Sequence, residues 1–191
     1  MCRLFSLTSQ EPISPMRAIE ALDVMREGHD GSGVGLYLNG LNGPLGEYAG
    51  CPILSGIFTA EGITRMDTLM RSRGYTPGFR LPVAPKGKAP LGTPSRHTYL
   101  IQTFHPPEGW DEWESLDQEL HMLQTRLELR RMGLEKEDIT VFSFWPDTVV
   151  MKEIGDPMHV GRYLQLDSEE LKAQVVLAQG RRPRRSKMSL E

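Results

Sequence analysis

The chain has 191 residues, 39% hydrophobic and 25% charged, with a formal net charge of −3. That suits one globular domain, or one and a fraction, and gives no reason to expect a nucleic acid or an acidic membrane surface as partner. No apolar run approaches the ~18 residues of a membrane span, the first residues lack a signal-peptide core, and only two cysteines, Cys2 and Cys51, are present, so a reducing cytoplasm is the simplest compartment.

In chain order, Cys2–Thr8 alternates around Leu4 and Leu7 and reads as a short strand. Ser14-Pro15 opens a helix, with Ser14 as N-cap and Pro15 at the first helical position, and Ala18, Leu22 and Met25 on its apolar face. The helix is expected to end at Gly28. A glycine-rich turn, His29-Asp30-Gly31-Ser32-Gly33, feeds a strand over Val34–Leu38, and Asn39–Gly46 reads as a loop. Ile63, Met66, Leu69 and Met70 mark a second helix closed by Gly74. Pro77–Pro94, rich in proline and glycine, reads as a surface loop or insertion.

Thr98–Phe104 is the next strand. Ser115 and Gln118 form a capping-box pattern before a helix that carries Leu116, Leu120, Leu123 and Leu127 on one face and ends near Gly133. Thr140–Phe144 and Thr148–Ile154 read as a hairpin about Pro146-Asp147. Asp167 is expected to cap a short helix through Ala173, and Val175–Ala178 to form the last strand. Five of the seven residues from Arg181 to Lys187 are basic, which reads as a solvated tail over 182–191. Strands and helices mix without strict alternation, which predicts the α+β class.

The chemistry concentrates at residue 2. Removal of Met1 would leave Cys2 with a thiol and a free α-amine on one residue. Their reference pKa values, about 8.5 and 7.7–8.0, let the neutral amine accept the thiol proton directly or through one water. That arrangement suits attack on a side-chain amide, release of ammonia and hydrolysis of a thioester. By position alone a cysteine here is also compatible with a small apolar residue of a first strand or with a lipid acceptor, although no anchor signal accompanies it.

The opening Met1-Cys2-Arg3-Leu4-Phe5-Ser6-Leu7 resembles the start of class II glutamine amidotransferases, most closely their Met-Cys-Arg variant. Arg26-Glu27-Gly28-His29-Asp30-Gly31-Ser32-Gly33 resembles the family's Arg-Gly-x-Asp-x-x-Gly turn with one inserted residue. Pro52–Phe58 and Phe142–Asp147 are similar to the amidotransferase subunit of split, archaeal-type glutamate synthases. The resemblance covers most of residues 1–181, which form one expected domain. It implies an N-terminal-nucleophile hydrolase sandwich, two antiparallel sheets between helical layers, with glutamine as substrate and a synthase subunit as partner. Flavin and iron–sulfur chemistry would belong to that partner, and this chain is expected to hold no cofactor. Nucleic acid and membrane are not expected as partners.

Within the resemblance Cys2 is the nucleophile, and Arg26, Gly28, His29, Asp30 and Gly33 shape the site. The plain alternative for that turn is a helix-to-strand connection, its glycines supplying positive φ and Asp30 capping amides. Arg181, after Val176-Leu177-Ala178-Gln179-Gly180, matches the family arginine that holds the glutamine α-carboxylate, a task suited to a bidentate guanidinium. Equally, Arg181 simply begins the basic tail. Family members continue beyond this arginine into an Asn-Gly oxyanion pair and an acidic residue that binds the α-amine. This chain reaches only Glu191, so an incomplete sandwich is expected, from a truncated product or one half of a split protein. Asn39-Gly40 and Asn42-Gly43 lie too early for the oxyanion role and read as turns. Loss of oxyanion donors costs ~3 kcal/mol, on the order of 10²–10³ in rate. A non-catalytic subunit that docks through uncovered apolar surface is therefore the competing reading.

The remaining candidates read as structural. His105, Asp111 and Glu112 sit in a loop anchored by Trp110 and Trp113. Glu114, Glu119, Glu128 and Glu135 form a solvated helix face. Cys51 is a spectator in a turn, and His159 has no chemical partner in sequence. Without a CxxC pair, and with five scattered histidines, no metal site is expected.

Overall fold

A computed structural model describes residues 3–25, 33–81, 83, 93–94 and 96–180. Its strands are β1 (Arg3–Ile13), β2 (Val34–Leu41), β3 (Pro52–Phe58), β4 (Thr76–Leu81), β5 (Thr98–His105), β6 (Ile139–Pro146), β7 (Thr148–Glu153) and β8 (Ala173–Gly180). Its helices are α1 (Met16–Val24), α2 (Ala60–Ser72), α3 (Ser115–Lys136) and α4 (Pro157–Tyr163), with 3-10 turns at Gly43–Tyr48 and Trp110–Glu112. The strands form two four-stranded sheets, ordered β1-β8-β2-β7 and β4-β5-β3-β6. Every ladder is antiparallel. The α+β expectation therefore holds.

Side-chain alternation explains the layering. In the first sheet Val34, Leu36 and Leu38 of β2, Val149 and Met151 of β7, and Val176 and Ala178 of β8 are buried together with Ala18, Ile19 and Leu22 of α1. Ile53, Ile57, Tyr99 and Ile101 of the second sheet join the same cluster. β3 is buried along its whole length. Its other face, Leu54 and Phe58, meets α2 and α3 in a second cluster with Met66, Met70, Phe104 and Phe144. The opposite face of the first sheet is open among the described residues: Leu4, paired with Gln179, is 62% exposed. Such a face is normal for an antiparallel sheet solvated on one side.

The chain passes between sheets at Asp147, whose φ is 53°. The strands on either side were expected to pair as a hairpin. Instead β6 pairs with β3 and β7 with β2. The crossing is held by small hydroxyls. Ser55 Oγ and Ser143 Oγ are 2.6 Å apart, and Ser55 Oγ donates to the Val150 carbonyl at 2.8 Å. Both serines are buried.

Several other boundaries differ from expectation. β1 runs on to Ile13 and β2 to Leu41, because β8 pairs with both, meeting β1 up to Thr8 and again at Ile13 after a shift of register. The end of the expected 39–46 loop instead enters a 3-10 turn. The expected loop from Pro77 begins as β4, an edge strand whose register shifts between Pro77 and Arg80, where a proline is tolerated. The helix expected after Asp167 is absent. Asp156 caps α4 instead, accepting from Met158 N at 3.1 Å, while Ala173 starts β8. No capping box forms at α3: Glu114 is the N-cap residue, and Gln118 Nε2 donates to the Trp110 carbonyl at 2.7 Å. α3 also continues past Gly133 to Lys136. α1 starts at Met16, and Ser14 Oγ accepts from Met16 N at 3.2 Å, one position from the expected cap geometry.

Candidate functional site

One row of residues crosses the first sheet at the end where β1 and β2 begin and β7 and β8 finish. Arg3 pairs with Gly180, Gly180 with Val34, and Val34 with Glu153. The register has a plain origin. β1, β2 and β7 place Phe5, Leu36 and Met151 on the buried side two residues in from the row, and a slip of one residue would turn every one of them outward.

Glu153 is buried at the edge of this row. Its carboxylate accepts from Ile154 N at 2.7 Å, from Tyr99 Oη at 3.1 Å and from Thr93 Oγ1. Tyr99 Oη also lies against the Lys152 carbonyl. Burial holds the Tyr99 phenol well above its ordinary range, with the Glu153 charge adding to the effect. Burial, and then Glu153, raises Tyr163 as well. A buried carboxylate is costly unless its lone pairs are filled, and these donors fill them.

Beside the row opens a cleft of about 920 Å³. Gly33, Val34, Gly35, Lys152, Glu153 and Gln179 form the wall on the first sheet, and Ile57 and Ile139–Phe142 the wall on the second. Arg130 and Leu134 of α3, with Arg96 and His97, complete it. His97 Nε2 is 3.0 Å from the Glu137 carbonyl, which orients the ring on the rim. The wall thus combines apolar strand surface with charges of both signs.

Of the residues singled out from sequence, Cys2, Arg26, Gly28, His29, Asp30 and Arg181 lie outside the described residues, as does the tail over 182–191. Gly33 is described and lines the cleft. A Cβ there would lie 3.3 Å from the Glu153 carbonyl oxygen, so this glycine gives the row room. Arg3, covalently next to Cys2, and Gly180, covalently next to Arg181, are paired. Asn42-Gly43 opens the 3-10 turn, with Gly43 at φ 61°, as expected, whereas Asn39-Gly40 is not a turn: it lies within β2, Asn39 pairing with Thr148 and Val175, and Gly40 has φ 65°. Cys51 is half-buried, its thiol raised by burial and then by Asp147. The Trp110 and Trp113 rings pack against each other, centroids 5.1 Å apart and tilted by 40°, and anchor their loop. Among the described residues no three His, Cys, Asp or Glu side chains gather as a metal site requires, and no helix is long and apolar enough to cross a membrane.

No protein-family model matches the chain, and no curated protein matches it either.

Glu153 and Tyr99 escape a reading that looks for nucleophiles and glycine turns. A signal for Glu153 is nevertheless present. It continues the Val149, Met151 alternation, so an acid falls on the covered side of β7. Tyr99 carries no comparable mark, because its partner lies 54 residues away.

Proposed function

We propose that this chain is a glutamine amidotransferase domain of the N-terminal-nucleophile type. It hydrolyses the glutamine side-chain amide and passes ammonia to a glutamate-synthase-like partner in the cytoplasm. In this reading Met1 is removed and the α-amine of Cys2 takes the thiol proton. The sulfur attacks the carboxamide carbon, and the amide nitrogen leaves as ammonia with that proton. Water then cleaves the thioester to glutamate and frees the thiol. Arg181 pairs with the substrate α-carboxylate. The turn from Arg26 through Gly28, His29 and Asp30 to Gly33 shapes the site, within a hydrolase sandwich of two antiparallel sheets. Flavin and iron–sulfur groups would sit on the partner.

The observation that carries the reading is the shared row. Arg3 follows Cys2 in sequence, Val34 follows the glycine turn and Gly180 precedes Arg181, and Arg3, Gly180 and Val34 are consecutive neighbours at one end of one sheet, beside the cleft. The described residues that adjoin these three segments, far apart in sequence, are therefore neighbours, which supports the reading. A glutaminase assay tests it. The wild-type chain should release glutamate and ammonia from glutamine, and Cys2→Ala should release neither. Equal release by both would overturn it.

A non-catalytic docking subunit is the second reading. The open face around Leu4 and Tyr37 favours it. Glutaminase inactivity of the wild-type chain alone and with its synthase partner would decide for it.

A further inference from the structure

α3 is apolar on two opposite faces. Met122, Thr125, Leu129 and Gly133 are buried against the second sheet and α2. Leu116, Leu120, Leu123, Leu127 and Leu134 point the other way, each between 43% and 74% exposed. At about 100° per residue these five leucines fall within a ~60° arc and span ~27 Å of helix. A surface helix ordinarily turns charge to water on this side, and a contiguous apolar stripe of this length marks a contact surface. The spacing is four, three, four and seven, the alternation of a coiled-coil seam with Arg130 at its one polar position.

The flanks carry a sign asymmetry along the helix. Asp117 and Glu119 border the N-terminal half of the stripe, and Arg126, Arg130 and Arg131 the C-terminal half. Glu135 lies in the basic half, where Arg131 Nη1 approaches it at 3.5 Å. Glu128 turns inward to Arg73 Nη2 at 2.5 Å. A parallel helix alongside would set acid beside acid and arginine beside arginine. An antiparallel copy sets acid against arginine at both ends.

We propose that α3 is the seam of a two-fold symmetric homodimer in which two copies lie antiparallel. Leu116 meets the second copy's Leu127, and Leu120 meets the second copy's Leu123, so that four layers close about an axis between Leu120 and Leu123. Glu119 faces the second copy's Arg126, and the symmetry makes this pair twice. Self-complementarity of one patch is what a two-fold interface requires, and the charges fix its direction. Beyond these four layers the stripe continues to the cleft, which Arg130 and Leu134 line. The proposal does not rest on the amidotransferase reading.

Sedimentation equilibrium of the full chain from about 1 to about 100 µM tests it. The wild-type protein should reach twice the chain mass. Leu123→Glu should weaken the dimer at least ~100-fold. Glu119→Arg should weaken it ~10-fold, and adding Arg126→Glu should restore it to within ~3-fold of wild type. The charge arm stands even if the leucine variant fails to fold, which circular dichroism would reveal. A monomer throughout, a dimer indifferent to the folded Leu123→Glu variant, or a double charge variant no tighter than Glu119→Arg would each overturn the proposal and leave the stripe to a different protein.

Discussion

Arg3 and Gly180 lie directly opposite each other, where β1 begins and β8 ends. They are separated by nearly the whole described chain, and each is the described residue next to a position singled out for chemistry. Antiparallel pairing of β8 with both β1 and β2 brings them together, since β8 must finish where the other two start.

The buried carboxylate beside that row should be coupled to its phenol. Glu153→Ala leaves the Thr93 hydroxyl without its acceptor and Tyr99 with a single partner, and should cost about 1–3 kcal/mol. Tyr99→Phe should cost about 1–2 kcal/mol. The double variant should cost less than the sum by about 1 kcal/mol, because both changes remove one shared hydrogen bond. Urea unfolding of the four proteins measures this. Strict additivity would mean that the contact contributes nothing.

Alkaline pH should destabilise the fold through the same tyrosine. The folded state holds Tyr99 above its ordinary value of 10.0, so the neutral form is the one that folding favours. Its contribution is complete below pH 10.0 and declines as the pH rises above it, when the unfolded chain ionises first. Tyr75, also raised by burial, acts with the same sign. Stability measured by urea unfolding between pH 9 and 11 should fall above pH 10.0, and Tyr99→Phe should reduce the slope.

Gly133 sits inside α3, where alanine would ordinarily stabilise by ~1 kcal/mol. Here a Cβ would lie 2.0 Å from the Ile139 carbonyl oxygen, a backbone atom. Overpacking of this kind costs roughly 1–3 kcal/mol or more and decides the sign. Gly133→Ala should therefore lower the thermal midpoint by about 2–8 °C, at roughly 2–4 °C per kcal/mol for a chain of this size. A midpoint that rises would mean that α3 sits farther from β6 than described.

Ser55→Ala should also destabilise. It removes the partner of Ser143 Oγ and of the Val150 amide, which donates to Ser55 Oγ at 3.2 Å. Val150 N keeps Ser143 Oγ at 3.1 Å, so the loss should stay near 1–2 kcal/mol, read from the denaturant midpoint.

Local signals located most elements, and tertiary partners set their limits. Helices α1 and α2 were legible from Ala18 and Leu22, and from Met66, Leu69 and Met70, because their apolar spacing is one-faced. α3 was misleading, since its most regular leucines are the exposed ones and its buried face uses Thr125 and Gly133. Pro77 and Gly78 read as loop because nothing local reveals that β5 offers an edge to pair with. The strands flanking Asp147 were correctly found but wrongly paired, as sequence proximity favours a hairpin while β2 and β3 were the available neighbours. For the site, Gly33 was legible and lines the cleft, whereas Glu153 and Tyr99 gain meaning only once β5 and β7 are brought together.

The central claim is that Cys2 becomes an amino-terminal nucleophile for glutamine. Intact-mass and peptide mass spectrometry, after treatment with a diazoketone analogue of glutamine, addresses it most directly. The expected result is a chain lacking Met1 with one adduct, on Cys2, suppressed by excess glutamine. A chain that keeps Met1, or an adduct on Cys51 alone, would contradict it.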